Sequence, residues 1–150
     1  MLTDALLAWL HYLAIFVLIV ALTAEAVLLR PGMDAATARR LAGYDRLYMF
    51  AALAVLATGL LRLMMGAKGA GFYAANPWFH AKIGLFVVIG LCSAPPTLAF
   101  LRWRRQAQGR QDYVPPDGEI ARVRRWVMIQ SHLIIFLPLL AALMSRGLGM

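Results

Sequence analysis

Hydrophobic residues in this chain are concentrated in four long stretches that short polar segments separate. The stretches run Ala5–Leu29, Leu47–Met65, Phe79–Leu101 and Trp126–Ser145. Each has about the 20 residues that an α-helix needs to cross a hydrocarbon layer about 30 Å thick. Because backbone polar groups must be satisfied within lipid, segments of this length are expected to cross it as helices. The pattern predicts one all-α domain over residues 1–150, an integral membrane four-helix bundle.

Composition supports a membrane environment. The chain is 62% hydrophobic and has a mean hydropathy of +0.70, whereas a soluble domain is closer to half apolar. The first stretch has neither a basic leader nor a small-residue cleavage site, so we expect it to be retained. Cys92 is the single cysteine, which excludes an intrachain disulfide and a paired-cysteine haem attachment.

Positive charge is distributed unevenly between the two predicted sides. One side carries eleven arginines: Arg30, Arg39, Arg40, Arg46, Arg102, Arg104, Arg105, Arg110, Arg122, Arg124 and Arg125. The other carries Arg62, Lys68, Lys82 and Arg146. The positive-inside rule places both termini outside the cytoplasm, which in a bacterial inner membrane is the periplasmic side. Aromatic residues do not alternate with the arginines, so a net charge of +8 does not indicate nucleic-acid binding.

Capping and proline signals predict where helices begin and bend. Asp34 is an expected N-cap, and Pro77 suits the first turn of the third helix. Pro95-Pro96 and Pro138 are expected to kink the third and fourth helices and to free main-chain carbonyls. The segment Arg102–Arg125 is expected to form a surface loop, with a turn at its prolines.

Ionisable side chains within the apolar stretches are the main chemical signal, because such groups are costly in lipid and usually face a bundle interior. They are His11, Glu25, Arg62, His80, Lys82 and His132. Counting 1.5 Å per residue from the middle of each stretch places His11, Arg62, His80 and Lys82 together, about 9–15 Å toward the side of the termini. His132 is expected about 5 Å toward the opposite side of the middle. A carbonyl freed by a kink, such as that of Leu91, is an alternative partner for it.

Glu25 is expected about 12 Å toward the arginine-rich side. It follows His11 by fourteen residues, close to four turns, so both side chains lie on one helix face. Two interpretations remain open for Glu25. It is either the structural partner of Arg46 or Arg124, or a proton relay.

Two segments resemble the four-helix HemJ-type protoporphyrinogen oxidases. Trp9-Leu10-His11, with Leu28-Leu29-Arg30-Pro31, is similar to their first helix, and Trp78–Ile83 is similar to their W-L-H-x-K-L signature. The resemblance implies that His11 and Lys82 serve haem b binding and activity. Over nearly its full length the chain resembles an uncharacterised family of bacterial four-helix inner-membrane proteins, through ATGLLR, KGAGFY, NPWFHAK and PTLAFLRW. That family has no assigned activity.

The leading hypothesis is therefore a haem b-binding membrane oxidoreductase that acts near the periplasmic face. His11 would be one axial ligand, Lys82 or His132 the other, and Arg62 a partner for a propionate. A quinone or a porphyrinogen would reach the site from the lipid bilayer. The alternatives are a small proton-coupled carrier, which would require a homo-oligomer, and a non-catalytic accessory subunit.

Overall fold

The computed structural model describes residues 2–65 and 69–146, and these residues contain six helices and no β-strand. The helices are α1 (Leu2–Leu28), α2 (Ala35–Met65), α3 (Gly69–Ala74), α4 (Pro77–Gln106), α5 (Asp117–Leu133) and α6 (Phe136–Ser145). The chain segments Leu2–Leu28, Ala35–Met65, Pro77–Gln106 and Asp117–Ser145 are each long and apolar enough to cross a membrane. The predicted all-α membrane bundle is thus confirmed.

Three helix boundaries follow from local chemistry. The Asp34 side chain accepts a hydrogen bond of 2.8 Å from the Thr37 main-chain N–H, so Asp34 is the N-cap of α2 as predicted. Asn76 caps α4 in the same way through the Trp78 N–H, with Pro77 in the first turn. The helices also extend beyond the apolar stretches. The prediction that Arg102–Arg125 forms a surface loop is wrong, because α4 continues to Gln106 and α5 begins at Asp117.

The prolines of the third and fourth spans have different effects. Helix α4 runs without interruption through Pro95 and Pro96. The carbonyl of Cys92, which Pro96 deprives of its helical donor, accepts a bond of 3.3 Å from the Gln130 side chain instead. The fourth span is interrupted at residues 134–135, one turn before Pro138. There the Leu137 N–H bonds to the Ile134 carbonyl over 3.2 Å.

Two ends of the bundle can be distinguished. At the arginine-rich end, residues 29–34 connect α1 to α2 and residues 107–116 connect α4 to α5; the Gly32 N–H bonds to the Asp117 side chain across them. At the terminal end lie Leu2, α3 and the end of α6, where the Asn76 side chain bonds to the Met144 carbonyl.

The hydrophobic core lies in the half nearer the arginine-rich end. Its largest fully buried side chains include Leu29, Leu41, Phe100, Trp103 and Ile120. Helix α6, in the other half, has no buried residue. The exterior is apolar along the spans, with Phe16, Phe50 and Leu98 each about two-thirds exposed (66%, 64% and 67%). In lipid this exposure is favourable, because the bilayer solvates these side chains.

Candidate functional site

A cavity of about 700 Å³ occupies the half of the bundle nearer the terminal end. Its walls are formed by α1 and α2 on one side and by α4 and α6 on the other, with mostly apolar lining residues. Within the described residues α6 contacts α4 and α5 and makes no contact with α1 or α2. The space that this separation leaves has the size of a small-molecule site.

His11 enters this cavity from α1 and is held by α2. The side chain is 6% exposed, and its Nδ1 lies 2.8 Å from the Thr58 hydroxyl. When that hydroxyl donates its single hydrogen to the Ala54 carbonyl, 2.6 Å away, it accepts from His11, and the ring proton then lies on Nδ1. A main-chain group of Val55 is also within hydrogen-bonding range of the ring. In the tautomer with the proton on Nδ1, Nε2 carries the lone pair through which a histidine can bind a metal.

Gly59 of α2 lies beside the imidazole. A Cβ atom at this position would lie 3.4 Å from the His11 Cε1 atom and 3.9 Å from Nδ1. Both are ordinary van der Waals distances, so an alanine would also fit against the ring.

Two cationic side chains line the same cavity. Arg62, one turn after Thr58 on α2, has its guanidinium carbon 5.9 Å from the centre of the Tyr12 ring, which stabilises it by a cation–π contact. Lys82 lines the opposite wall from α4. Three of the four residues that the depth argument groups together, His11, Arg62 and Lys82, therefore line one cavity, whereas the fourth, His80, does not.

The other two histidines lie outside this cavity. His132 is exposed, and its Nδ1–H donates to the Met128 carbonyl of its own helix over 2.6 Å. It therefore does not bond to a carbonyl of α4; Gln130 takes that place, at the carbonyl of Cys92. His80 is also exposed, and its Nε2–H donates to the Ala74 carbonyl over 2.9 Å.

Glu25 lies about four turns away from His11, in the core at the arginine-rich end, and is 2% exposed. Neither Arg46 nor Arg124 forms an ion pair with it; both arginines are exposed, and the ion pair found in the described part of the chain joins Arg102 to Glu119. The expectation that Glu25 is a structural partner of these arginines is therefore wrong.

The arrangement favours a particular ligand chemistry. An apolar cavity with one imidazole and two cations suits a largely apolar molecule that carries an acidic group. Within the described residues no group of three or more His, Cys, Asp or Glu side chains could hold a metal ion.

Residues that the sequence did not single out complete the site. Thr58 orients His11, and Tyr12 holds Arg62. Tyr48 lines the inner part of the cavity, 4% exposed. The four-residue spacing that places Thr58 and Arg62 on one helix face could have indicated a role for Thr58 in the site. A threonine in a membrane helix commonly bonds to its own backbone, however, so the spacing alone did not single it out.

Comparison with known proteins supports the membrane assignment. Residues 3–149 match the model of a family described as predicted membrane protein (DUF2214). No curated protein and no solved structure matches the chain. Since the match covers nearly the whole sequence, this protein belongs to the DUF2214 family of predicted membrane proteins.

Proposed function

We propose that this protein binds haem b in the cavity near its terminal end and carries out redox chemistry there, in a bacterial inner membrane with that end toward the periplasm. The observation that carries the proposal is the His11 imidazole, which lines the cavity and has its Nδ1 atom bound to the Thr58 hydroxyl. Imidazole in this state is a common axial ligand of haem iron. The resemblance of the first helix to the HemJ-type oxidases points to the same residue.

The residues present fit a haem in three respects. The cavity of about 700 Å³ lies within the 300–1,000 Å³ typical of cofactor and drug sites. Its walls are apolar enough to hold a porphyrin ring, with Ile15, Phe86 and Ile89 among them. Arg62 supplies a cation for a propionate.

Each polar side chain has a distinct role in this proposal. His11 would hold the iron, and Thr58 would set the tautomer and orientation of its ring. Lys82 would hold either the iron, as a neutral amine, or the propionates, as a second cation. The bound haem would supply one-electron exchange, while the apolar walls exclude water and so protect the bound state.

A lipid-soluble electron partner fits the position of the cavity. Tyr12, Leu53 and Leu56 line the cavity and are 55%, 58% and 49% exposed, so one side of it faces the surrounding lipid. A quinone or a porphyrinogen dissolved in the bilayer would approach through this side. Such a partner would enter from lipid and would need no aqueous channel through the closed half of the bundle, which is the tightly packed half nearer the arginine-rich end.

The test is a reduced-minus-oxidised visible spectrum of the protein purified in detergent after expression with ample haem. The expected result is a b-type spectrum at near one haem per chain in the wild type. His11→Ala should remove the haem. Thr58→Val should weaken haem affinity by about 10–100-fold, the usual effect of losing an orienting partner, whereas Thr58→Ser should retain it.

His132→Ala is the matched control, because this histidine lies outside the cavity and should not affect haem content. Lys82→Arg separates the two roles of the lysine, since arginine keeps the cation but cannot become a neutral ligand. An unchanged spectrum indicates a propionate partner, and a change of spin state indicates an axial ligand. A colourless, monodisperse wild-type protein, or haem loss in His132→Ala alone, would contradict the proposal.

A further inference from the structure

The buried carboxyl of Glu25 has no role in the haem site, and its surroundings are unusual. The side chain is 2% exposed, and its Oε1 atom has no hydrogen-bond partner. No described cation forms an ion pair with it. An ionised carboxylate placed in an apolar core without a partner costs several kcal/mol, so the protein must handle its charge in another way.

A second buried carboxyl, Asp45 of α2, lies within electrostatic range of Glu25. It is 5% exposed and accepts a hydrogen bond of 2.7 Å from the Thr97 hydroxyl of α4. Two buried carboxylates within that range repel each other, and one hydrogen bond from a neutral hydroxyl does not offset two buried negative charges.

Tyr48 lies near both this acidic pair and the cavity. It follows Asp45 by one helical turn and is within electrostatic range of both carboxyls and of Cys92 on α4. The same tyrosine lines the inner part of the cavity that contains His11. From α5 the neutral Gln130 packs here, with its Nε2 bonded to the Cys92 carbonyl and its Oε1 without a partner.

The arginines of this end do not neutralise the pair. Arg39 donates to the Ala107 carbonyl over 3.0 Å, and Arg102 binds Glu119 over 2.8 Å. Arg46 and Arg124 are exposed. The titratable groups that face Glu25 from the elements packed against it are thus Asp45 and Tyr48 of α2 and, through Tyr48, Cys92 of α4.

We propose that Glu25 and Asp45 form a buried proton-binding site, in which the two carboxyls together bind one exchangeable proton and Tyr48 lies next to both the pair and the cavity. One bound proton leaves the pair with a single negative charge, which the Thr97 hydroxyl on Asp45 helps to stabilise. Passage of that proton to a molecule in the cavity rests on the proposed function above. The proton-binding site itself does not depend on that function.

The test is labelling with dicyclohexylcarbodiimide, a hydrophobic reagent that reacts with protonated carboxyls, followed by peptide mass spectrometry on the haem-free protein in detergent. Glu25 should be labelled at neutral pH, and its labelling should fade as the pH rises. Glu25→Gln should lose the label at this peptide. Glu119, which is bound to Arg102 and Trp103, is the matched internal carboxyl and should remain unlabelled.

Asp45→Asn tests whether the two carboxyls bind the proton together. Without the second negative charge Glu25 ionises more easily, so the pH at which its labelling is half lost should fall by about one unit or more. Size-exclusion chromatography checks that the variants are folded; the isosteric Glu25→Gln and Asp45→Asn changes minimise disturbance of the core. No labelling of Glu25 in the folded wild type, or an unchanged midpoint in Asp45→Asn, would overturn the proposal.

The two proposals fail separately in these experiments. A colourless protein with a labelled Glu25 would remove the haem and keep the proton-binding site. A haem protein in which Glu25 is never labelled would keep the haem proposal and remove the proton-binding site. If both hold, the reduction potential of the haem should depend on pH in the wild type, and Glu25→Gln should weaken that dependence.

Discussion

The two halves of the bundle are built differently from the same four spans. Toward the arginine-rich end, α1, α2, α4 and α5 close around large side chains such as Trp103 and Phe100, both 0% exposed. Toward the terminal end, α6 lies against α4 and away from α1 and α2, and a cavity opens between the two walls. The closed half supplies stability, and the open half can therefore hold polar side chains beside an apolar space.

The polar groups of the two halves differ in the same way. The open half carries one imidazole and two cations at a cavity wall. The closed half contains two carboxyls inside a packed core. Positive groups beside a space suit an anionic ligand, whereas enclosed carboxyls without a cation suit a proton.

The largest expected effect is a difference in stability between two aromatic truncations. Trp103→Ala should lower the free energy of unfolding by about 3–5 kcal/mol, since it leaves a void in the closed core and removes the donor to Glu119. Phe86→Ala, in the cavity wall, enlarges an existing space and should cost about 1 kcal/mol or less. Thermal unfolding in detergent measures both. Equal losses would show that the open half is packed as tightly as the closed one.

A smaller effect is expected from adding side-chain volume. Ala38 is 0% exposed in the closed half, so Ala38→Leu should destabilise by about 1–3 kcal/mol through overpacking. Gly90 lines the cavity, and a Cβ atom there would meet nothing within 4 Å. Gly90→Leu should therefore leave the unfolding midpoint unchanged or raise it. A midpoint that falls as far as in Ala38→Leu would mean that the cavity is collapsed in solution.

The smallest effect concerns the cap of α2 at the arginine-rich end. Hydrogen bonds from the Thr37 side chain and main chain hold the pKa of Asp34 below its ordinary value. The stabilisation is therefore present above the pKa of the unfolded chain and is lost as the pH falls through the lower folded value. Asp34→Ala should lower the melting temperature slightly at neutral pH, with a smaller difference in acid.

Asp34→Asn is the matched control for this cap. Asparagine keeps the N-cap acceptor without a titrating group, so the variant should retain most of the neutral-pH stability. A melting temperature in Asp34→Ala that differs from the wild type equally at all pH values would show that the charge of Asp34 contributes nothing.

Much of the site was predictable because depth in a membrane follows from position in the sequence. His11, Arg62 and Lys82 lie at similar distances along three spans, and the structure brings them to one cavity. That they bind a cofactor stays a prediction. For the fourth span the sequence did not predict which side chains face inward, because the rotation of a helix about its axis depends on packing. There Gln130 faces inward and His132 outward.

The four spans, the N-cap at Asp34 and the interruption of the last span before Pro138 could be predicted from the sequence. These features depend on local chemistry: hydrophobic length, hydrogen bonds over a few residues, and a missing N–H. The packing of the helices was needed to show that Thr58 orients His11, that Asp45 lies near Glu25, and that the cavity opens in one half. Those contacts join residues on different helices, and their geometry depends on how the helices rotate and pack together.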